Sequence, residues 1–192
     1  MADDPEDPRH RPGIDPRTLA AARRGDVDAF LVVLRRYDRR LRRIASAVLG
    51  DRDLMDDALQ EVAIKAARAL PTLREPDAVG AWLARTTYHT CIDLLRRRRD
   101  LVIVAPDDLP EPLDAAPDPA DELASRDAVA RLLAGLTPEQ RAAVVLVDQE
   151  GLDYRLAAEI LGVPAGTIGS RLFGARAALR RAVATSRLEE RS

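Results

Sequence analysis

Cysteine, histidine, lysine and aromatic residues are nearly missing from this 192-residue chain, and each shortage excludes something. The single cysteine, Cys91, rules out an internal disulfide and supplies no zinc ligand set. A reducing cytoplasm is therefore the expected compartment. Histidine occurs only as His10 and His89, in unrelated surroundings. No nucleophile–base pair, glycine-rich phosphate loop or metal-ligand spacing can be assembled, so an enzyme is not expected and neither metal nor cofactor is called for. The longest apolar run, Ala142 to Val147, is far too short to span a membrane. The opening residues MADDPEDPRHRPG have no apolar core and do not form a signal peptide, so no membrane insertion is expected. Aromatics make up 3% and hydrophobics 46%, much of it alanine and leucine, which favours helices over sheets. Lys65 is the only lysine, so positive charge is carried by arginine. A net charge of −2 gives no overall attraction for nucleic acid. Any such affinity has to come from local segregation of charge.

That segregation is sharpest in the last third of the chain. Thr137-Pro138-Glu139-Gln140 carries three helix-start signals: a capping hydroxyl, a proline suited to the first helical position, and a glutamine able to close a capping box. The helix runs apolar through Val147 and stops near Gly151. Asp153 can cap a short second helix, Tyr154 to Leu161, with Leu156 and Ile160 on its inner face. Gly162 permits a tight turn, and Pro164 suits the first turn of a third helix reaching to about Thr185. A short helix, a glycine turn and a longer helix describe a helix-turn-helix, whose second helix enters the DNA major groove. From Pro164 to Leu188 there are five arginines, Arg171, Arg176, Arg180, Arg181 and Arg187, and no acid. Phosphate neutralisation favours such a one-signed surface, whereas a merely solvated helix mixes signs. The competing reading is an ordinary three-helix core with basic decoration.

The first half reads as a separate helical unit. Residues 1 to about 15 are acidic, proline-rich and aperiodic, as in a disordered tail. A short helix from Pro16 to Arg24 breaks at Gly25, and Asp26 can cap the next, Val27 to Leu49. In it Phe30, Leu34, Leu41, Ile44 and Val48 keep helical spacing. Its arginines Arg35, Arg36, Arg39, Arg40, Arg42 and Arg43 fit a solvated face and a partner surface equally well. Gly50 ends that helix and Asp51 can start another, to about Leu70, with Met55, Leu59, Val62, Ala66 and Ala69 facing inward. On it Asp53, Asp57 and Glu61 lie four apart with Asp56 and Gln60 beside them. Like charges at that spacing repel by about a few tenths of a kcal/mol per pair, so the stripe suits a docking surface for a basic partner. The helix dipole returns part of that cost, which leaves a plain solvated face as the rival reading. A long helix from about Asp77 to Arg98 then places Val79, Leu83, Thr86, Thr90 and Leu94 on one face. Trp82, Arg85, His89 and Arg96 mark the adjacent face, and the helix closes on the Arg96–Arg99 run. Such planar groups can stack on unpaired bases while arginines hold phosphate. A lone tryptophan is nonetheless more often a core residue than a base platform, and His89 more often an ordinary surface histidine. From Asp100 to about Asp121, prolines among aspartates mark a linker, either a passive tether or an acidic strand for a basic channel. A helix from about Glu122 to Ala134 leads into the last unit.

The fold expected is all-α: a tail (1–15), a helical domain (16–99), a flexible acidic linker (100–121) and a helix-turn-helix domain (122–192). The run Leu136-Thr137-Pro138-Glu139-Gln140-Arg141, then Glu150-Gly151-Leu152-Asp153-Tyr154, Ala158 to Pro164, Gly166-Thr167-Ile168 and Ser170-Arg171-Leu172 resembles the C-terminal DNA-binding region of bacterial sigma-70 family factors. It is most similar to the extracytoplasmic function (ECF) group. Asp56 to Val62 resembles the sigma segment that grips core RNA polymerase, which implies that Asp53, Asp56, Asp57, Gln60 and Glu61 contact it. Ala81 to Arg85 with Ile92 to Arg97 resembles the segment that reads and melts the minus-ten element, implying roles for Trp82, Arg85, His89, Arg96 and Arg97. Relatives often carry asparagine at His89 and an Ile-Ala pair at Thr86-Thr87, which bears on base preference more than on melting. Gly169 departs from a usual basic or polar residue and, with Gly174, weakens the recognition helix, so minus-thirty-five contacts lean on Thr167, Ser170, Arg171, Arg176 and Arg180. The resemblance implies core RNA polymerase and promoter DNA as partners, with an anti-sigma factor as a third. The alternative is a stand-alone helix-turn-helix regulator that does not bind polymerase. The acidic stripe is the feature such a regulator does not need.

Overall fold

The computed structural model describes residues 14–73, 75–76, 78–104, 133 and 135–189. Most of the expected tail, the linker from residue 105 onward, and the expected helix from Glu122 to Ala134 except Leu133 lie outside the described residues. Every regular element among the described residues is helical. The N-terminal unit contains α1 (Pro16–Arg23), α2 (Val27–Leu49), α3 (Arg52–Ala69) and α4 (Ala78–Val104). The C-terminal unit contains α5 (Pro138–Val144), α6 (Tyr154–Leu161) and α7 (Ala165–Glu189).

Local chemistry sets most boundaries. The Asp15, Asp26, Asp51 and Asp153 carboxylates each accept a backbone N–H in the first turn that follows, and so meet donors the helix itself leaves unpaired. Thr137 and Gln140 form the full capping box, with bonds of 3.3 and 3.1 Å. Gly50 and Gly162 close α2 and α6 at φ 65°, a left-handed conformation that glycine adopts without steric cost. The helix α4 runs past the expected end at Arg98 to Val104, because no proline interrupts it before Pro106. The helix α5 ends differently from expectation: Val145–Gln149 form a π turn, in which the Glu150 N–H donates to Val145 O at 2.9 Å.

Two apolar clusters organise the packing. One lies among α1, the first half of α2, α3 and the start of α4, with Leu19, Val33, Leu41, Val62, Val79 and Leu83 all but fully buried. The other is shared by both units. Ile44 and Val48 of α2 and Ala84, Tyr88 and Cys91 of α4 join Ala143, Leu146, Leu161, Ile168 and Leu172 of the C-terminal unit. Burying each large aliphatic side chain contributes about 1.5–3 kcal/mol, so this common core ties the units together. Burial pushes the Cys91 thiol up to about 12, leaving it a small apolar filler. Thr87, fully buried, satisfies its hydroxyl by donating to Leu83 O at 2.8 Å.

Candidate nucleic-acid and partner interfaces

The acidic stripe lies on the outer side of α3. Asp53, Asp56, Asp57 and Gln60 are exposed, and Glu61 is half-buried. Two of the acids are held by neighbours: Asp56 meets Arg42 at 3.3 Å, and Glu61 meets Lys65 at 2.8 Å one turn on. Lys65 also donates to Thr90 Oγ1 at 2.9 Å and so fastens this edge of α3 to α4. Ile64, 49% exposed, continues the stripe four residues after Gln60. It is an apolar contact point that charge patterning did not single out.

On α4 the arginines Arg85, Arg96 and Arg97 and the imidazole of His89 are exposed, whereas Trp82 is half-buried against the first cluster. Trp82 is thus partly a core residue. Burial, then the neighbouring Arg85 charge, lowers the His89 pKa. Asp51 accepts from Arg98 at 2.9 Å while capping α3, which pins the arginine run of α4 beside the start of α3.

In the helix-turn-helix, Ile168, Leu172 and Ala175 of α7 are buried, while Ser170, Phe173, Arg176 and Arg180 are exposed. Thr167 lies between these faces, and Ser170 Oγ donates to its carbonyl at 2.9 Å. Arg176 meets Asp148 at 2.7 Å. Phe173, 75% exposed on the same face as Ser170, was missed in sequence. Its signal was available, since an aromatic opposite the Ile168–Leu172–Ala175 face has no core to enter. Arg171 behaves differently from the other expected contacts. It is half-buried beside Tyr88 of α4, and its Nη1 is buried without a hydrogen-bond partner. An unmet buried donor costs about 1–3 kcal/mol.

The junction between the units contains the most constrained charges. Glu150, only 2% exposed, accepts from Arg40 Nε at 2.9 Å and from Arg43 Nη1 at 2.7 Å. Burial alone would raise its pKa, but the two guanidinium groups hold it below the ordinary carboxylate range. Arg141 reaches back to the end of α2, where Ala47 O and Val48 O accept from it, and it also donates to Leu136 O at 3.0 Å. Several of the α2 arginines therefore serve intramolecular pairs, among them Arg42 with Asp38 and Arg40 and Arg43 with Glu150. The turn of the helix-turn-helix stands against α4, where a Cβ on Gly162 would lie 3.3 Å from the His89 ring. Glu150 and Arg141 carried no sequence signal, because their partners are about a hundred residues away.

Among the described residues, no three His, Cys, Asp or Glu side chains gather to hold a metal ion, and no helix is long and apolar enough to cross a membrane.

Comparison with known proteins places both units. Residues 33–100 match the family model for sigma-70 region 2, and residues 126–179 match that for sigma-70 region 4. The chain is 38% identical over 167 residues to the ECF RNA polymerase sigma factor SigM of Mycobacterium tuberculosis H37Rv, covering 87% of this chain and 83% of that one. It is 30% identical over 167 residues to the ECF RNA polymerase sigma-E factor of Escherichia coli K12, covering 81% and 87% respectively. Among solved structures it resembles the sigma factor RpoE in complex with the anti-sigma factor NepR from Bartonella quintana, with a TM-score of 0.72, 25% identity and coverage of 82% and 98%. It also resembles CnrH in complex with the cytosolic domain of CnrY, with a TM-score of 0.63, 26% identity and coverage of 88% and 96%. A helical unit bearing an acidic stripe and a basic helix, followed by a helix-turn-helix that matches region 4, makes this chain a member of the sigma-70 family of RNA polymerase sigma factors, in its ECF group.

Proposed function

We propose that the chain is a promoter-specificity factor that binds core RNA polymerase, recognises minus-ten and minus-thirty-five elements, and promotes strand opening at transcription start. The observation that carries this reading is the exposed acidic stripe of α3 on a chain whose recognition helix α7 bears several arginines and, up to Leu188, no acid. The stripe suits a basic protein surface and the helix suits phosphate. In this reading Asp53, Asp56, Asp57, Gln60 and Glu61 dock on the polymerase. Trp82, Arg85, His89, Arg96 and Arg97 engage the minus-ten strand. Thr167, Ser170, Arg171, Arg176 and Arg180 engage the minus-thirty-five duplex, where the exposed Phe173 ring suits a thymine methyl group.

The domains run over 16–99 and 122–192, joined by the linker 100–121, whose first residues continue α4 to Val104. The chemistry of RNA synthesis belongs to the polymerase, so the chain works in the cytoplasm without a catalytic residue or cofactor of its own. The structural relative described in complex with the anti-sigma factor NepR supports an anti-sigma factor as a further partner here. Base flipping costs about a few kcal/mol, which a polymerase-held complex can offset.

The test is co-purification and run-off transcription with core polymerase. Asp57→Lys with Glu61→Lys should abolish co-purification and run-off product while leaving the fold intact by circular dichroism. Unchanged association, with tight duplex binding by the free chain, would make the protein a stand-alone regulator.

A further inference from the structure

We infer that Asp148 is a specificity-determining residue, which by pairing with Arg176 withholds that guanidinium from DNA phosphates that arrive out of register. This rests on the promoter-binding reading above, in which α7 docks on the minus-thirty-five duplex.

The pair ties the end of the first helix of the last unit to its recognition helix. Arg176 Nη2 donates to Asp148 Oδ1 at 2.7 Å, across 28 residues of sequence. Asp148 belongs to the π turn Val145–Gln149, in which Val145 and Leu146 are buried, so the backbone carrying the carboxylate is anchored in the core. The Arg176 pKa is raised, first by the bond to Asp148 and then by that carboxylate's charge, with a smaller contribution from Tyr154 of α6. The two side chains are 48% and 37% exposed, so a phosphate oxygen can reach the guanidinium and take the carboxylate's place.

Stability does not account for the pair. An exposed ion pair contributes little to folding, and an acid beside a DNA-binding surface repels phosphate. Arg176 lies on the exposed side of α7 with Phe173 and Arg180. It stands on the flank toward α6, since Gly169, two turns earlier, faces the Tyr154 ring of that helix. The flanks of a helix lying in the major groove pass the sugar–phosphate backbones, so phosphate is the ligand this position suits.

An arginine free to swing neutralises whichever phosphate is near, and such contacts carry no sequence information. Held by Asp148, Arg176 reaches DNA only when a phosphate displaces the carboxylate. In the cognate register the base contacts of α7 seat the helix and bring one phosphate to the guanidinium, and the exchange goes through. On other sequences the helix is not seated and Arg176 stays with Asp148. The acid therefore penalises mainly the wrong complexes, which widens the gap between right and wrong sequences.

The experiment uses holoenzyme reconstituted from core polymerase and the full chain. Dissociation constants are measured on the promoter fragment that gives the strongest run-off, and on the same fragment with its minus-thirty-five element scrambled, each over a range of salt. Asp148→Asn should tighten binding to the scrambled fragment about fivefold and steepen its salt dependence by about 0.9, the slope of one further phosphate contact. The intact fragment should change by less than about twofold, so discrimination falls. Asp148→Glu, which keeps a carboxylate within reach, should discriminate as wild type does. In an Arg176→Ala background, Asp148→Asn should alter neither fragment. Equal tightening on both fragments, or a gain that survives Arg176→Ala, would reveal a general charge effect and overturn the inference. An unchanged ratio between the fragments overturns it as well. Absence of run-off from wild type would instead count against the sigma reading, while titration of the full chain with an arbitrary duplex still shows whether Asp148→Asn frees Arg176.

Discussion

Arg43 of α2 and Glu150, just beyond α5, are 107 residues apart in sequence and meet at 2.7 Å. The contact directly follows the π turn Val145–Gln149, in which the Glu150 N–H donates to Val145 O at 2.9 Å.

Acid should weaken this contact. The ordinary glutamate value is 4.5, and Glu150 lies below it in the folded chain. A group with a lowered folded pKa gives its full contribution above the unfolded value and loses it as pH falls through the folded one. The stabilisation is therefore complete at neutral pH and disappears below 4.5. At pH 7, Glu150→Gln should cost about 1–3 kcal/mol, toward the lower end because Arg43 is partly solvated. Urea midpoints of wild type and Glu150→Gln, compared from neutral pH down to about pH 3, should converge in acid. A constant offset would show that Glu150 is not the titrating group. Asp51, also held low and bonded to Arg98, contributes with the same sign to both proteins and cancels in the comparison.

Arg141 serves carbonyls at the end of α2 and before α5 at once. Those α2 carbonyls are among the last four of the helix, which no backbone N–H within it can satisfy. Arg141→Met should cost about 2–4 kcal/mol, because it removes several charge-assisted bonds and leaves the acceptors unmet. Arg141→Lys should recover less than half, since a single ammonium cannot span the same fork. Chemical denaturation of the three proteins checks the ordering; equal loss in Lys and Met would also fit, but full recovery in Lys would contradict the forked role.

What sequence alone made legible was local. The caps at Asp26, Asp51, Thr137 and Asp153 and the left-handed Gly50 and Gly162 each act within a few residues, so their spacing announces them. The buried faces of α2 and α3 followed from helical period, since Ile44, Val48, Val62 and Ala66 are all within the core. The acidic stripe was equally visible, and its members are on one exposed side except for half-buried Glu61. The unit-to-unit relation was not legible. Arg40 and Arg43 look like any other arginines of α2 until Glu150 is found beside them. Arg171 reads as an outward contact beside Ser170, yet its position on the flank of α7 carries it toward Tyr88. The face of α4 was read too narrowly for the same reason. Tyr88 and Cys91 are buried because a second unit covers them, and periodicity within one helix does not report that.

The glycines of α7 separate two effects that sequence treats as one. Gly169 and Gly174 both sit inside the helix, where alanine is favoured by about 1 kcal/mol. A Cβ on Gly169 would meet only Tyr154 at 3.9 Å, ordinary contact. A Cβ on Gly174 would meet Gln140 Nε2 at 2.9 Å, and Gln140 is the residue that closes the capping box at the start of α5. Gly169→Ala should therefore raise stability by about 0.5–1 kcal/mol. Gly174→Ala should gain the same propensity but displace Gln140, losing about 0.5–1 kcal/mol of capping, and so come out near neutral. Thermal melts of the two single variants, repeated in a Gln140→Ala background, check this. With the glutamine truncated, Gly174→Ala should become as stabilising as Gly169→Ala. If it stays neutral there, close approach to Gln140 is not the reason for glycine at position 174.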